Sequence, residues 1–142
     1  MHPVDGADRR ARSLAIAVGG AAGALVRWWV LRTWPAASGF DWAVLGCNVV
    51  GSALLGAALA QEWRHPAWRR FWHAGVAVGF CGGLTTMSTV ALEVAELGRA
   101  GAGGTALAYT VASVATCLVA VVAGAAAAGA RRAIDLPVEG GR

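Results

Sequence analysis

Thr105, Tyr109, Ser113 and Cys117 recur every fourth residue within an otherwise apolar run, with Thr116 beside the last of them. On a helix this spacing stacks all four on one face. Such a stripe can bond back to its own backbone, as hydroxyls in membrane helices commonly do. It can also line a narrow polar track. Asn48 sits alone in a second apolar run. A buried amide is costly unless bonded. It can join helices, or offer N–H donors to an anion. A third run reads Gly79-Phe80-Cys81-Gly82-Gly83-Leu84-Thr85-Thr86-Met87-Ser88-Thr89-Val90. Glycine weakens a helix by about 1 kcal/mol relative to alanine, and Thr85, Thr86, Ser88 and Thr89 offer alternative partners. The helix is expected to break at this Gly-Gly/Thr segment. A break exposes carbonyls, which are hard ligands for an alkali cation. Backbone broken at membrane depth persists only where it is buried or lines a site.

Two charged residues flank these features. Arg27 falls near the end of the first apolar run and Glu93 near the end of the third. Two roles are open for Arg27: snorkelling to the interface, or drawing anions into a vestibule. Glu93 reads as structural or interfacial, with permeation as the alternative.

The elements that must position these residues are four apolar segments, residues 13–31, 42–60, 72–94 and 105–130. Each is close to the ~20 residues that cross the hydrocarbon core as a helix. Lipid offers no partners to backbone groups, so helix is the expected state. Residues 1–12 form an N-terminal segment and 131–142 a polar tail. Of the 142 residues, 57% are hydrophobic and 14% charged, against about 25% charged in soluble domains. The expected class is an all-α membrane protein of four transmembrane helices.

Trp28, Trp29, Trp34, Trp42, Trp63, Trp68 and Trp72 all fall at or near segment ends. Indoles favour the headgroup zone, where the ring is half-dry and its N–H meets water. Arginine sets the orientation. Arg9, Arg10 and Arg12 lie at the N-terminus, Arg64, Arg69 and Arg70 in the second loop, and Arg131, Arg132 and Arg142 at the C-terminus. The opposite loops hold only Arg32 and Arg99. This bias, nine against two, places both termini in the cytoplasm of a plasma-membrane protein. Glycines within the segments, such as Gly19 and Gly23 or Gly51 and Gly56, suit close helix packing.

Several function classes lose support. The net charge of +4 comes from arginines clustered beside apolar segments, not along a polar face, so it does not describe a nucleic-acid surface. Cys47, Cys81 and Cys117 lack zinc or redox spacing and read as small buried residues. His2, His65 and His73 lie near segment ends. No nucleophile–base pair or paired carboxylates suggest an enzyme. The first segment exceeds a secretory core in length and contains Arg27, so it is expected to be retained as a helix.

At these motifs the chain resembles the CrcB/Fluc family of small fluoride channels. Four pieces carry the resemblance between Val18 and Gly124: Gly19 to Ala24 with Arg27; Asn48 with Gly51 and Ser52; Gly79 to Thr89 with Glu93; and Tyr109 with Ser113. The resemblance implies an antiparallel dimer of four-helix subunits that passes fluoride out of the cytoplasm. It implies a structural sodium ion held by the Gly82 and Thr85 backbone carbonyls. It assigns a fluoride path to Asn48, Tyr109, Ser113 and Cys117, and to the positions of Met87 and Val90. The family usually carries phenylalanine at those last two positions, where ring edges face the anion, and a hydroxyl at Cys117. One subunit of such a dimer must be inverted, which the arginine bias opposes. Two assemblies are therefore open: a homodimer, or a heterodimer with an oppositely oriented homologue that supplies the phenyl groups. Two rival functions stand beside this one. A proton-coupled exporter of small cations would need a carboxylate deep in a segment. A non-transporting scaffold would need only the packing residues.

Overall fold

The computed structural model describes residues 6–35, 40–61 and 71–135. Helix α1 spans Gly6–Thr33 and α2 spans Trp42–Ala60. The third span has three parts: α3 (His73–Phe80), wound as a π-helix, α4 (Cys81–Leu84) and α5 (Met87–Arg99). Helix α6 runs Gly103–Asp135. The segments Gly6–Thr33, Trp42–Ala60, His73–Arg99 and Gly103–Gly129 are each long and apolar enough to cross a membrane. The second-loop arginines, Trp63, Trp68, His2, His65 and the tail 136–142 lie outside the described residues.

The helices pair by alternation. Gly19 of α1 lies on the Gly75 carbonyl, and Gly23 on that of Phe80. The register advances together along both elements, so α1 runs parallel to the third span. Gly56 of α2 lies on the Val121 carbonyl and Gly124 of α6 on that of Ala53, so α2 and α6 cross in close backbone contact at this level. A Cβ at any of these glycines would collide with backbone. Close approach of this kind supplies van der Waals contact where lipid removes the hydrophobic drive between helices.

Local sequence fixes the element ends. Asp41 caps α2, its Oδ1 accepting from the Ala43 and Val44 amides at 2.9 and 3.0 Å. This satisfies two of the four unpaired donors at a helix start. Gly101, at φ 75°, makes the turn from α5 to α6. Leucine and valine side chains such as Leu14, Val18, Leu107, Val119 and Val122 point outward, as a lipid-facing surface requires. Trp28, Trp29, Trp34, Trp42 and Trp72 are exposed at span ends. Arg32 lies over the Trp28 ring, 5.7 Å from its centroid.

The third span breaks one turn after the place its glycines suggest. Gly82 and Gly83 remain helical within α4. Thr85 (φ −80°, ψ 151°) and Thr86 (φ −147°, ψ 122°) are extended and carry the break. Gly83 stays helical because its missing Cβ serves packing: a methyl there would strike the Gly20 carbonyl of α1. The threonines leave the helix because their polar groups find other partners.

Candidate functional site

Asn48 holds the break from outside the span. Its Nδ2 donates to the Thr86 carbonyl at 3.0 Å, and its Oδ1 accepts from the Thr86 N–H at 2.7 Å. One side chain thereby replaces a β-ladder partner for a single extended residue. The amide has two N–H groups, so one remains uncommitted after the bond to Thr86. Asn48 is buried, and its amide is oriented by the Thr86 backbone.

The hydroxyls around the break form a small network. Thr86 caps α5, its Oγ1 accepting from the Thr89 N–H at 3.2 Å. That same oxygen lies 3.2 Å from the Ser88 hydroxyl and 2.9 Å from that of Thr89. Thr85 turns its hydroxyl back to the Cys81 carbonyl at 2.9 Å. These bonds absorb polar groups that a broken helix would otherwise bury unpaired.

A groove of about 460 Å³ runs between α2, the third span and α6. Asn48, Thr86, Met87, Val90, Ser113 and Cys117 are among its lining residues. Met87 is 67% exposed and Leu118 64%, so the groove opens along the side of this subunit. Ser113 is buried, and its Oγ has no hydrogen-bond partner. Buried hydroxyls are seldom left so. The neighbouring hydroxyls behave differently: Thr110 and Thr116 bond back to the Ala106 and Ala112 carbonyls at 2.9 and 2.6 Å.

The sequence-predicted residues divide here. Asn48, Met87, Val90, Ser113 and Cys117 meet in the groove. Tyr109 lies outside its lining, fully buried in a cluster with Val44 and Val90. The Phe40 ring meets Tyr109 edge-on at 4.5 Å. The Tyr109 hydroxyl points to the Asp41 carbonyl at 3.5 Å, and the Glu93 carboxyl lies beside both residues. Glu93 Oε2 is buried without a partner. Thr105, at the start of the stripe, is exposed. Residues four apart share a face, but a helix packed on two sides splits that face between core and groove. Val90 is 2% exposed, whereas Met87, one turn earlier, stands out into the groove mouth.

Asp41 and the partner of Arg27 escaped the sequence reading. Aspartate immediately before an apolar run is an N-cap signal, so the capping role of Asp41 was legible. Its approach to Tyr109 and Glu93, far away in sequence, was not. Arg27 Nη1 donates to the Thr85 carbonyl at 2.9 Å, a tertiary contact without a local signature.

That contact bears on the expected sodium site. Gly82 is exposed on the groove wall. Its carbonyl loses its helical acceptor role because the Thr86 N–H turns to Asn48. Gly82 therefore suits a hard cation. The Thr85 carbonyl instead already holds a guanidinium, whose charge opposes a second cation. The pair does not fit sodium in this arrangement.

Comparison with known proteins places the chain. The family described as "CrcB-like protein, Camphor Resistance (CrcB)" matches residues 14–125. The chain is similar to the fluoride-specific ion channel FluC of Bordetella petrii, at 40% identity over 100 residues, covering 70% of this chain and 77% of that protein. It is also similar to the fluoride-specific ion channel FluC of Chromobacterium violaceum, at 43% over 89 residues, 62% of this chain and 71% of that protein. The family match takes in all four spans, the break and the groove, and by it this chain belongs to the CrcB-like family.

Proposed function

We propose that this chain is a subunit of a fluoride channel that lets the ion leave the cytoplasm down its gradient. One observation carries the reading: the unpartnered Ser113 hydroxyl shares a groove with the spare N–H of Asn48. Fluoride is small and strongly hydrated. It enters a membrane only where protein donors replace its water. A hydroxyl and an amide do this without a fixed cation, which would hold the ion too tightly to release it. Among the described residues the lining includes no charged one, which leaves the ion without a trapping charge there. Arg27, next to the break, adds positive potential that favours anion approach.

The open side of the groove calls for a second subunit. An antiparallel partner would cover Met87 and Leu118 and contribute its own donors. Both assemblies are carried forward: a homodimer with one inverted copy, or a heterodimer with a homologue of opposite arginine bias. The bias of nine to two favours the heterodimer. Phenylalanine in the partner would place ring edges where this chain has Met87 and Val90. Cys117 adds only a weak thiol donor.

Fluoride efflux from liposomes tests the reading. Liposomes with this chain alone, with a homologous partner, and with the Asn48→Asp form of this chain separate the possibilities. Efflux with partner only supports the heterodimer, and robust efflux from this chain alone overturns it. Flux unchanged by Asn48→Asp would remove Asn48 from the path. Absence of fluoride flux in every combination would sink the channel reading.

A further inference from the structure

Arg27 is a charged residue within a membrane-spanning helix, a placement that is costly and tends to mark function. It is half-buried, and its Nη1 donates to the Thr85 carbonyl at 2.9 Å. Thr85 is the first residue past the end of α4 and is extended. Here the α3–α4 run ends, and its last carbonyls form the negative pole of the helix. Such half-helix ends and unwound carbonyls are where membrane proteins hold alkali cations. In this chain a guanidinium reaches that position. We infer that the Arg27 guanidinium is itself the cation of the break, and that it competes with an alkali ion for the Thr85 carbonyl.

Packing holds Arg27 in place. Gly23, one turn earlier on the same face of α1, lies against the Phe80 carbonyl, and Gly20 lies against Gly83. These backbone contacts fix α1 at the level of α4, which holds the base of the Arg27 side chain within reach of the break. The competition is electrostatic as well as geometric. Gly82, three residues from Thr85, lines the groove, and the Thr86 N–H that its carbonyl would hold in a helix is bonded to Asn48. An alkali ion at Gly82 would stand near the guanidinium and be repelled by it. Arg27 is thus a positioning residue. It ties α1 to the extended segment whose next residue, Thr86, orients the Asn48 amide.

The test is thermal unfolding of the full-length protein in detergent, at matched ionic strength in sodium chloride or N-methylglucamine chloride. Wild type and Arg27→Lys are expected to unfold within about 1 °C of each other in the two salts, because a bound charge already serves the break. Arg27→Met and Arg27→Gln are expected to be more stable in sodium by about 4 °C or more, because an emptied carbonyl then accepts the ion. Glutamine keeps an N–H for Thr85 without the charge, so it separates hydrogen bonding from electrostatics. Folding of either variant in sodium but not in glucamine also supports the inference. It is overturned if wild type gains as much from sodium as Arg27→Met does. It is equally overturned if both neutral variants lose the same stability in both salts, or fail to fold in both. Unfolding reads the cation at the break whether or not fluoride passes. Its failure would therefore leave the channel reading standing, and the reverse holds too.

Discussion

The subunit carries two grooves of almost the same size and opposite character. The first, about 460 Å³, lies between α2, the third span and α6 and contains Asn48, Thr86 and Ser113. The second, about 450 Å³, lies between α1 and α2 and is walled by Val26, Val30, Trp34, Trp42, Val50 and Leu84, among others. Volume does not distinguish them. The first holds donors whose bonding is incomplete, while the second offers hydrocarbon and indole. An anion leaving water is drawn by oriented dipoles, and a lipid chain by apolar wall. Two equal hollows in one small bundle thus face different solvents: the first suits an ion path and the second suits bilayer lipid.

Substitutions that alter one groove at a time would break or sharpen this contrast. Asn48→Asp should have the largest effect. Its carboxylate would face the Thr86 carbonyl and repel an anion, and fluoride flux in liposomes should fall by about 100-fold or more, the upper end for a charge-assisted hydrogen bond. Ser113→Ala should lower flux by about 10-fold. It should leave the unfolding temperature unchanged or slightly raised, because it deletes a buried group that has no partner. A fall in stability equal to the fall in flux would instead make Ser113 a packing residue. Thr110→Val removes a hydroxyl already bonded to Ala106. Flux should change by less than about threefold, since little donor capacity is lost. Val50→Phe, in the second groove, should change flux least, within about twofold, as an apolar exchange on a lipid-facing wall. A large loss there would erase the distinction between the grooves.

The sequence displayed the spans well because lipid leaves little choice: long apolar runs must be helical, and tryptophans mark their ends. The Asn48, Ser113 and Cys117 part of the site was legible from polar residues placed against a hydrophobic background. The position of the break was harder. Gly82-Gly83 weakens a helix by propensity, yet α1 presses so closely on Gly83 that helix is retained there. The break falls instead on Thr85 and Thr86, where Asn48 and Arg27 take up the backbone groups. Tyr109 shows a second limit. Its four-residue spacing places it correctly along the stripe, but spacing does not say which neighbour covers which part. Phe40 and Val44 cover Tyr109, and Ser113 is the first residue of the stripe to line the groove. Both outcomes depend on contacts between spans, which local pattern does not encode.

The alternate pairing of helices has a consequence for biogenesis. The extensive contacts of α1 are with the third span, and those of α2 are with α6; α1 and α2, although consecutive, touch little. During synthesis the first helical hairpin therefore reaches the bilayer with neither arm holding the other. Each arm waits for a mate that the ribosome has still to make. Inserted helices assemble by lateral packing after they enter the membrane, so a nascent chain stopped after Ala60 would display Gly19, Gly23 and Gly56 to lipid with nothing to receive them. Such a fragment offers membrane quality control a long window for removal, and the subunit becomes durable only when its final helix arrives.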